Sequence, residues 1–303
     1  MNKHFTVGAN INYVSTKLSG DIDDAYSSTS TGSFNQWFHR NLDMDILKEL
    51  RGMTVEGPGG TTIFGSWNHN DPTSYNASNT KQFYAGNYWY NPYSYYDLVD
   101  VVNQRDRLYG NVSLTYKVNS DLRFTGTYRK QQNTLYAETK FSSRLDQSAT
   151  QAAGNDARLR GYYDTQTSFS NRENLEILGN YTKKISDFTI DVTAGVDLFS
   201  ALAKANRGYT VNGLSIPDLF TLGNSVDTYQ VTNTRTAEKY RAILARGSFG
   251  YKNFLFVDGS IRNDWFSTLP ESDNSVLSKS IGASFVFSDL LPKEGFSWLS
   301  MGK

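Results

Sequence analysis

The chain has 303 residues with 30 Lys+Arg against 30 Asp+Glu, so it carries neither the basic footprint of a nucleic-acid binder nor an acidic tail. It has no cysteine, which excludes disulfide frameworks, thiol nucleophiles and thiolate metal sites. A mean hydropathy of −0.52 and short apolar runs such as Phe254 to Val257 exclude a membrane-spanning helix, which needs about 20 apolar residues.

The N-terminus, Met1 to Val14, lacks the apolar core and small-residue cleavage site of a signal peptide. For an exported chain the expectation is that the true start lies upstream and that Met1 is an internal methionine.

Eight segments alternate apolar and polar residues with period two, the pattern of a strand with one buried or lipid-facing side. The first places Phe5, Val7, Ala9, Ile11 and Tyr13 on one face. The second carries Val112, Leu114, Tyr116 and Val118, and the third Leu122, Phe124, Gly126 and Tyr128. The fourth, with Leu175, Ile177 and Tyr181, is interrupted by Leu178. The fifth is the clearest: Phe188, Ile190, Val192, Ala194, Val196 and Leu198 alternate with Thr189, Asp191, Thr193, Gly195 and Asp197. The sixth is read with Ile243, Ala245, Phe249 and Tyr251 on its apolar face. The seventh has Leu255, Val257, Ile261 and Trp265 there, although Phe254 and Phe256 fall on the polar side. The eighth carries Ile281, Ala283, Phe285 and Phe287.

Tight turns around Asn119-Ser120-Asp121, Lys184-Ile185-Ser186-Asp187 and Lys252-Asn253 alternate with long connections, roughly 18–106, 132–172, 200–237 and 266–278. If neighbouring strands pair antiparallel, every long loop lies at one end. Outer-membrane barrels have this asymmetry, and the near-ten-residue strands fit a tilted membrane crossing. A soluble β-sandwich also alternates, but its strands are usually shorter and loops this long are uncommon in compact soluble domains. Aromatics near strand ends (Tyr13, Tyr109, Tyr128, Tyr181, Phe199, Tyr251, Trp265 and Phe287) fit two interfacial girdles, or ordinary strand propensity.

No catalytic motif is present. Gly57-Pro58-Gly59-Gly60 runs into Thr61-Thr62 in place of the Lys-Ser/Thr of a phosphate loop, so it reads as a turn. His4, His39 and His69 have no partner at metal-ligand spacing. Asp21, Asp23 and Asp24 lack the distal Glu of a calcium loop and read as a solvated stretch. The expectation is a chain with no enzyme activity, metal or cofactor. The first long loop holds an amphipathic helix, Met44 to Leu50, among many aromatics. Of these, Trp67, Trp89, Tyr90 and Tyr93 are candidates for stacking on a sugar; equally, the rings could pack the loop's own core, since a loop this long must bury something to stay ordered.

Three stretches carry a resemblance to a known family. They are Gln36-Trp37-Phe38-His39-Arg40-Asn41-Leu42-Asp43-Met44 with Ser66-Trp67-Asn68; Arg105-Asp106-Arg107-Leu108-Tyr109-Gly110-Asn111-Val112; and Ser248-Phe249-Gly250-Tyr251-Lys252-Asn253-Phe254-Leu255-Phe256, continuing through Arg262-Asn263-Asp264-Trp265 to Ser267-Thr268-Leu269-Pro270. In this order, over nearly the whole chain, they resemble the SusC/RagA type of TonB-linked outer-membrane proteins. The resemblance implies a barrel of about 22 strands occluded by a plug. It also implies uptake of glycans, or sometimes peptides, powered through the TonB complex, and a SusD-like surface lipoprotein as lid.

The expected fold is therefore all-β, an antiparallel transmembrane β-barrel segment of about eight strands with long extracellular loops. Residues 1–303 form a partial barrel domain without plug or signal peptide, and the largest loop spans about 18–106. Eight strands cannot close such a barrel, and lipid does not tolerate open edges. The expected function is that of a fragment of a receptor importing oligo- or polysaccharide (or peptides) across the outer membrane of a Gram-negative bacterium. Its partners would be the SusD-like lipoprotein, the TonB complex and outer-membrane lipid. Arg123, Arg129, Asp191, Asp197, Arg262 and Asp264 lie on the polar faces and are expected to line the lumen, with a lateral salt bridge between Arg262 and Asp264. The alternatives are a passive porin and a soluble glycan-binding or adhesin β-domain.

Overall fold

The computed structural model describes residues 4–20, 42–56, 62–67, 73, 75–86, 90–148, 157–252, 254–290 and 302–303. The predicted acidic stretch Asp21–Asp24, the Gly57–Gly60 turn, His39, His69 and Trp89 lie outside the described residues. Eight long strands form one antiparallel sheet: β1 (Phe5–Ser19), β4 (Val99–Lys117), β5 (Leu122–Phe141), β6 (Tyr162–Ile185), β7 (Phe188–Leu214), β8 (Ser225–Tyr251), β9 (Leu255–Phe266) and β10 (Ser275–Phe285), each beside the next. A small hairpin, β2 (Thr54–Glu56) with β3 (Thr62–Phe64), sits in the first long loop. That loop also holds the helices α1 (Met44–Glu49), α2 (Thr80–Phe83) and α3 (Pro92–Leu98).

The tight turns stand where the sequence places them. The Asn119 side chain accepts the amides of Asp121 and Leu122, both at 2.9 Å, and so closes the β4–β5 turn. Ile185 pairs with Phe188 around Ser186, whose φ of 52° is the left-handed backbone that a two-residue hairpin loop demands. Lys252 also takes left-handed backbone, with φ 47°, in the β8–β9 turn, where Tyr251 pairs with Leu255.

The register aligns one face across all eight strands. Val7 lies opposite Leu114, Leu114 opposite Gly126, Gly126 opposite Ile177, Ile177 opposite Val196, and Val196 opposite Ile243. Farther along, Phe249 lies opposite Val257, and Val257 opposite Ala283. The reading of the sixth strand, with Ile243, Ala245, Phe249 and Tyr251 on this face, matches the pairing. These side chains are bare: Ile11 is 71% exposed and Ile281 87%. An apolar face of this extent is untenable in water but is what hydrocarbon solvates. From Phe188 to Leu198 the face covers roughly 33 Å of strand, or about 25 Å of height at a tilt of about 40°.

The exceptions to the alternation have a local cause. Leu178 lies on the polar face over Gly195, where a Cβ would meet the Leu178 side chain and the Ile177 carbonyl. Phe256 likewise lies across from Gly250 and lays its ring against it. In both cases a large side chain fills the gap left by the glycine opposite it. Phe254 is not a strand residue; it sits in the turn, its ring against Tyr251 (5.5 Å) and Phe285 (6.0 Å).

Two further expectations are corrected. The strands outrun the predicted ten residues: β7 and β8 have 27 each. The first loop is accordingly bounded by Ser19 and Val99, and much of 132–172 and 200–237 is strand. Beyond the apolar band both faces are polar, so the hydrogen-bond ladder continues where the period-two signal has vanished. Of the expected girdle residues, Tyr109 and Phe199 point to the opposite face, as their pairing with Gln131 and Asn174 shows, and Phe287 lies past the end of β10. The aromatic cluster at the tight-turn end is built by Phe5 on Tyr116 (4.7 Å) and Phe188 on Tyr251 (4.9 Å).

Arg at a bilayer midplane costs about 2–4 kcal/mol on the lipid face of a barrel. Ile177→Arg in the middle of the band should lose that much unfolding free energy in lipid vesicles, while Thr127→Lys on the other face, opposite Glu176, should change it by less than about 0.5 kcal/mol. Equal losses at both positions would contradict the assignment of faces.

Candidate functional site: the polar face and its loop cap

Opposite the apolar face, a chain of charged and amide groups crosses five neighbouring strands. Arg129 on β5 donates to Asn174 Oδ1 (2.8 Å) and to Glu176 Oε1 (3.2 Å), both on β6. Asn174 donates in turn to Asp197 on β7. Asp197 Oδ2 also accepts from Tyr240 Oη on β8 (3.2 Å) and from Arg262 Nη2 on β9 (2.9 Å). Arg262 grips Asp264 with Nε and Nη2 at 2.7–3.0 Å, and its guanidinium carbon lies 5.7 Å from the centre of the Tyr240 ring.

Asp197 is the hub and is only 7% exposed; Asp264 is 8% exposed. A carboxylate so far removed from water needs a cation and several donors, and each receives them here. Four of the six sequence-predicted polar-face residues, Arg129, Asp197, Arg262 and Asp264, thus belong to one network, including the expected lateral bridge. Asp191 stands apart, accepting from Thr182 Oγ1 at 2.7 Å. Arg123, opposite Asn180, lies exposed nearer the tight turns. Asn174, Glu176 and Tyr240 were missed, because only register brings them beside Asp197.

Toward the loops the same face forms an open groove of about 770 Å³. Its floor is small: Ser170 pairs with Ala203 and Ala203 with Thr236, with Ser168, Ala205 and Thr234 in the next row. Arg172 of β6 lines it, and an adjoining hollow of about 420 Å³, which shares Gln131, Asn133, Ser170, Ala203 and Thr236 with it, is lined by Arg105 and Arg107 of β4. Tyr109 and Phe199 mark its lower margin.

Above the strands, Phe64, Tyr90, Tyr95, Val99, Phe141 and Leu145 make a buried cluster that fastens the first loop to the strand ends. Tyr90 is 1% exposed and its hydroxyl donates to the Leu145 carbonyl, so its ring is out of reach of a glycan. For this residue the core-packing alternative holds: burying a large ring contributes roughly 1.5–3 kcal/mol toward ordering the loop. Tyr93 and Trp67 are half-buried beside this core.

Asn91 caps α3, accepting the Tyr93 amide at 3.0 Å, and donates to the Leu47 carbonyl at 2.8 Å, tying α3 to α1. Ser94 accepts the Gly52 amide at 2.9 Å. Arg51 Nε donates to Asp97 Oδ2 at 2.6 Å in a two-pronged bridge. That bond, and the guanidinium's charge, hold the Asp97 carboxyl below the usual carboxylate range despite its partial burial.

No protein-family model and no curated protein matches the chain. Its fold does match solved structures. Against the RagAB peptide transporter the TM-score is 0.67 at 13% identity, over 95% of this chain and 29% of that one. Against the RagAB peptide importer in its closed-closed state the TM-score is 0.64 at 14% identity, over 99% of this chain and 30% of that one. The chain therefore has the fold of part of the barrel in these structures and spans less than a third of those two chains.

Two outcomes follow from these contacts. A double-mutant cycle of Asp197→Ala with Arg262→Ala should give a coupling of about 0.5–3 kcal/mol in vesicle unfolding, and additivity would remove Asp197 as hub. As for pH, a depressed carboxyl pKa contributes stability that is fully present above about 3.9 and lost as pH falls through the folded value. Proteolytic protection of the first loop should accordingly drop on acidification below about pH 4, and Asp97→Asn should remove that pH-dependent component.

Proposed function

We propose that this chain is a wall segment of an active, TonB-dependent importer in the outer membrane of a Gram-negative bacterium, working with a SusD-like surface lipoprotein. The observation that carries the proposal is the single apolar face aligned over eight strands, backed by a polar face whose central charges are paired across them. An importer must present one side to lipid and the other to water and cargo, and this register separates the two. The sequence resemblance supplies the TonB and lipoprotein partners, and the shared fold with the RagAB structures supports it. The cargo is an oligomer taken from the loop side. Peptide is favoured over glycan, because Tyr90, a ring offered for sugar stacking, is committed to the loop core, and because the matched structures are peptide transporters. Its role is transport, with no covalent step.

The test is uptake of a labelled pool of short peptides, with a labelled glycan digest in parallel, by cells bearing the full-length protein. Uptake should cease when TonB is deleted or the proton gradient is collapsed, while the amount in the outer membrane stays constant. Uptake that persists without energy would instead mean a passive porin. Full recovery in the soluble fraction without detergent would mean a soluble surface domain.

A further inference from the structure

We infer that Arg105, Arg107 and Arg172 form a carboxylate-reading site in the polar-face groove, suited to an extended peptide with acidic side chains; this rests on the importer reading above. Three other arginines of the same face, Arg129, Arg207 and Arg262, each hold a carboxylate: Glu176 at 3.2 Å, Asp164, and Asp197 with Asp264. Arg105, Arg107 and Arg172 make no ion pair among the described residues, although the first two line one hollow and Arg172 lines an adjoining one that shares Gln131, Asn133, Ser170, Ala203 and Thr236 with it. Asp106, between the first two, cannot neutralise them. It points to the other face, where Tyr13 donates to it at 3.1 Å.

The surroundings favour a ligand. Arg107 lies opposite Asn133, which donates to Ser170 at 3.1 Å, and Ser170 lies opposite Ala203. Side chains this short leave the space in front of the guanidinium groups open, and the groove there is part of an open volume of about 420 Å³. Glu238, opposite Ala201, is a carboxylate on the far wall, so the rim is cationic on balance. A guanidinium presents a planar fork of donors that matches a carboxylate in two-pronged fashion.

The spacing narrows the ligand class. Arg105 and Arg107 occupy alternate positions of one strand, so their bases stand about 6.6 Å apart. That is also the repeat of side chains on one face of an extended peptide, so two acidic residues two apart in sequence can each meet one guanidinium. Arg172, two strands away beyond Gln131, would take a third carboxylate or the peptide's C-terminus. The floor beside them, Ser168, Ser170, Ala203 and Ala205, is built of small side chains, and the rings of this face, Tyr109 and Phe199, stand at its lower margin near Arg172.

The experiment uses the full-length protein in detergent and titrates three labelled probes: an alternating Asp/Ala octapeptide, the same peptide with Asn for Asp, and an oligogalacturonate of similar length. The acidic peptide should bind at least tenfold more tightly than its amide counterpart, with an advantage that shrinks as salt rises. Arg105→Gln with Arg107→Gln should lower its affinity at least tenfold, and Arg172→Gln, made separately, at least threefold, each variant being checked for the heat-modifiable gel migration of a folded barrel. Equal affinity for acidic and amide peptides, or folded variants that bind the acidic peptide as the parent does, would overturn the site. Preference for the oligogalacturonate with the same arginine dependence would overturn the peptide assignment. In either case energised uptake of other peptides would leave the importer reading standing, whereas loss of all TonB-dependent uptake would bring down that reading itself.

Discussion

A polypeptide crossing hydrocarbon has to satisfy every backbone N–H and C=O with its own chain, because lipid offers no partner. In this molecule the long antiparallel ladder meets that demand for the strands inside the sheet, while the outer edges of β1 and β10 have no partner strand among the described residues. Once the ladder is laid down, the pleat divides side chains into two populations with no freedom to mix, and a slip of one residue in any pair would turn Ile177 inward and Glu176 toward lipid. The apolar face, the charge network and the groove are all consequences of one register.

The register also explains why the buried polar groups do not destabilise the wall. Asp197 and Asp264 sit where a lone carboxylate would be costly; neighbouring strands bring Arg262, Tyr240 and Asn174 to Asp197, and Asp264 is held by Arg262 of its own strand. The donors come from different strands, so the network resists shear between strands as well as satisfying charge. The exceptions Leu178 and Phe256 follow the same logic at smaller scale, each filling the space over a glycine that faces it.

The polar face is graded along the strands. At mid-height its carboxylates and arginines are matched and hold the wall together. Nearer the loops, small Ser, Ala and Thr side chains open a groove whose arginines are unmatched by any carboxylate among the described residues. The first loop caps this end on its own aromatic core, with Asn91 and the Arg51–Asp97 bridge fixing one helix to the other. The polar face thus divides into a wall joined across its strands below and a separately packed cap above.

The sequence by itself determined the strands within the apolar band, their tight turns and which residues share a face, because period-two alternation is written wherever one side of a strand meets an apolar medium. Ile243 and Phe249 could be assigned to a face without coordinates for that reason. It did not reveal the upper halves of β7 and β8, where water bathes both faces and no alternation is imposed. Nor did it reveal the fate of Tyr90, which depends on Phe64 and Leu145 arriving from distant segments. Arg262 and Asp264 could be paired from their spacing on one strand. The role of Asp197 at the centre, and the lack of an ion pair at Arg105, Arg107 and Arg172 among the described residues, were decided by the tertiary structure alone, because the neighbours of a strand residue lie one strand away in space and tens of residues away in sequence.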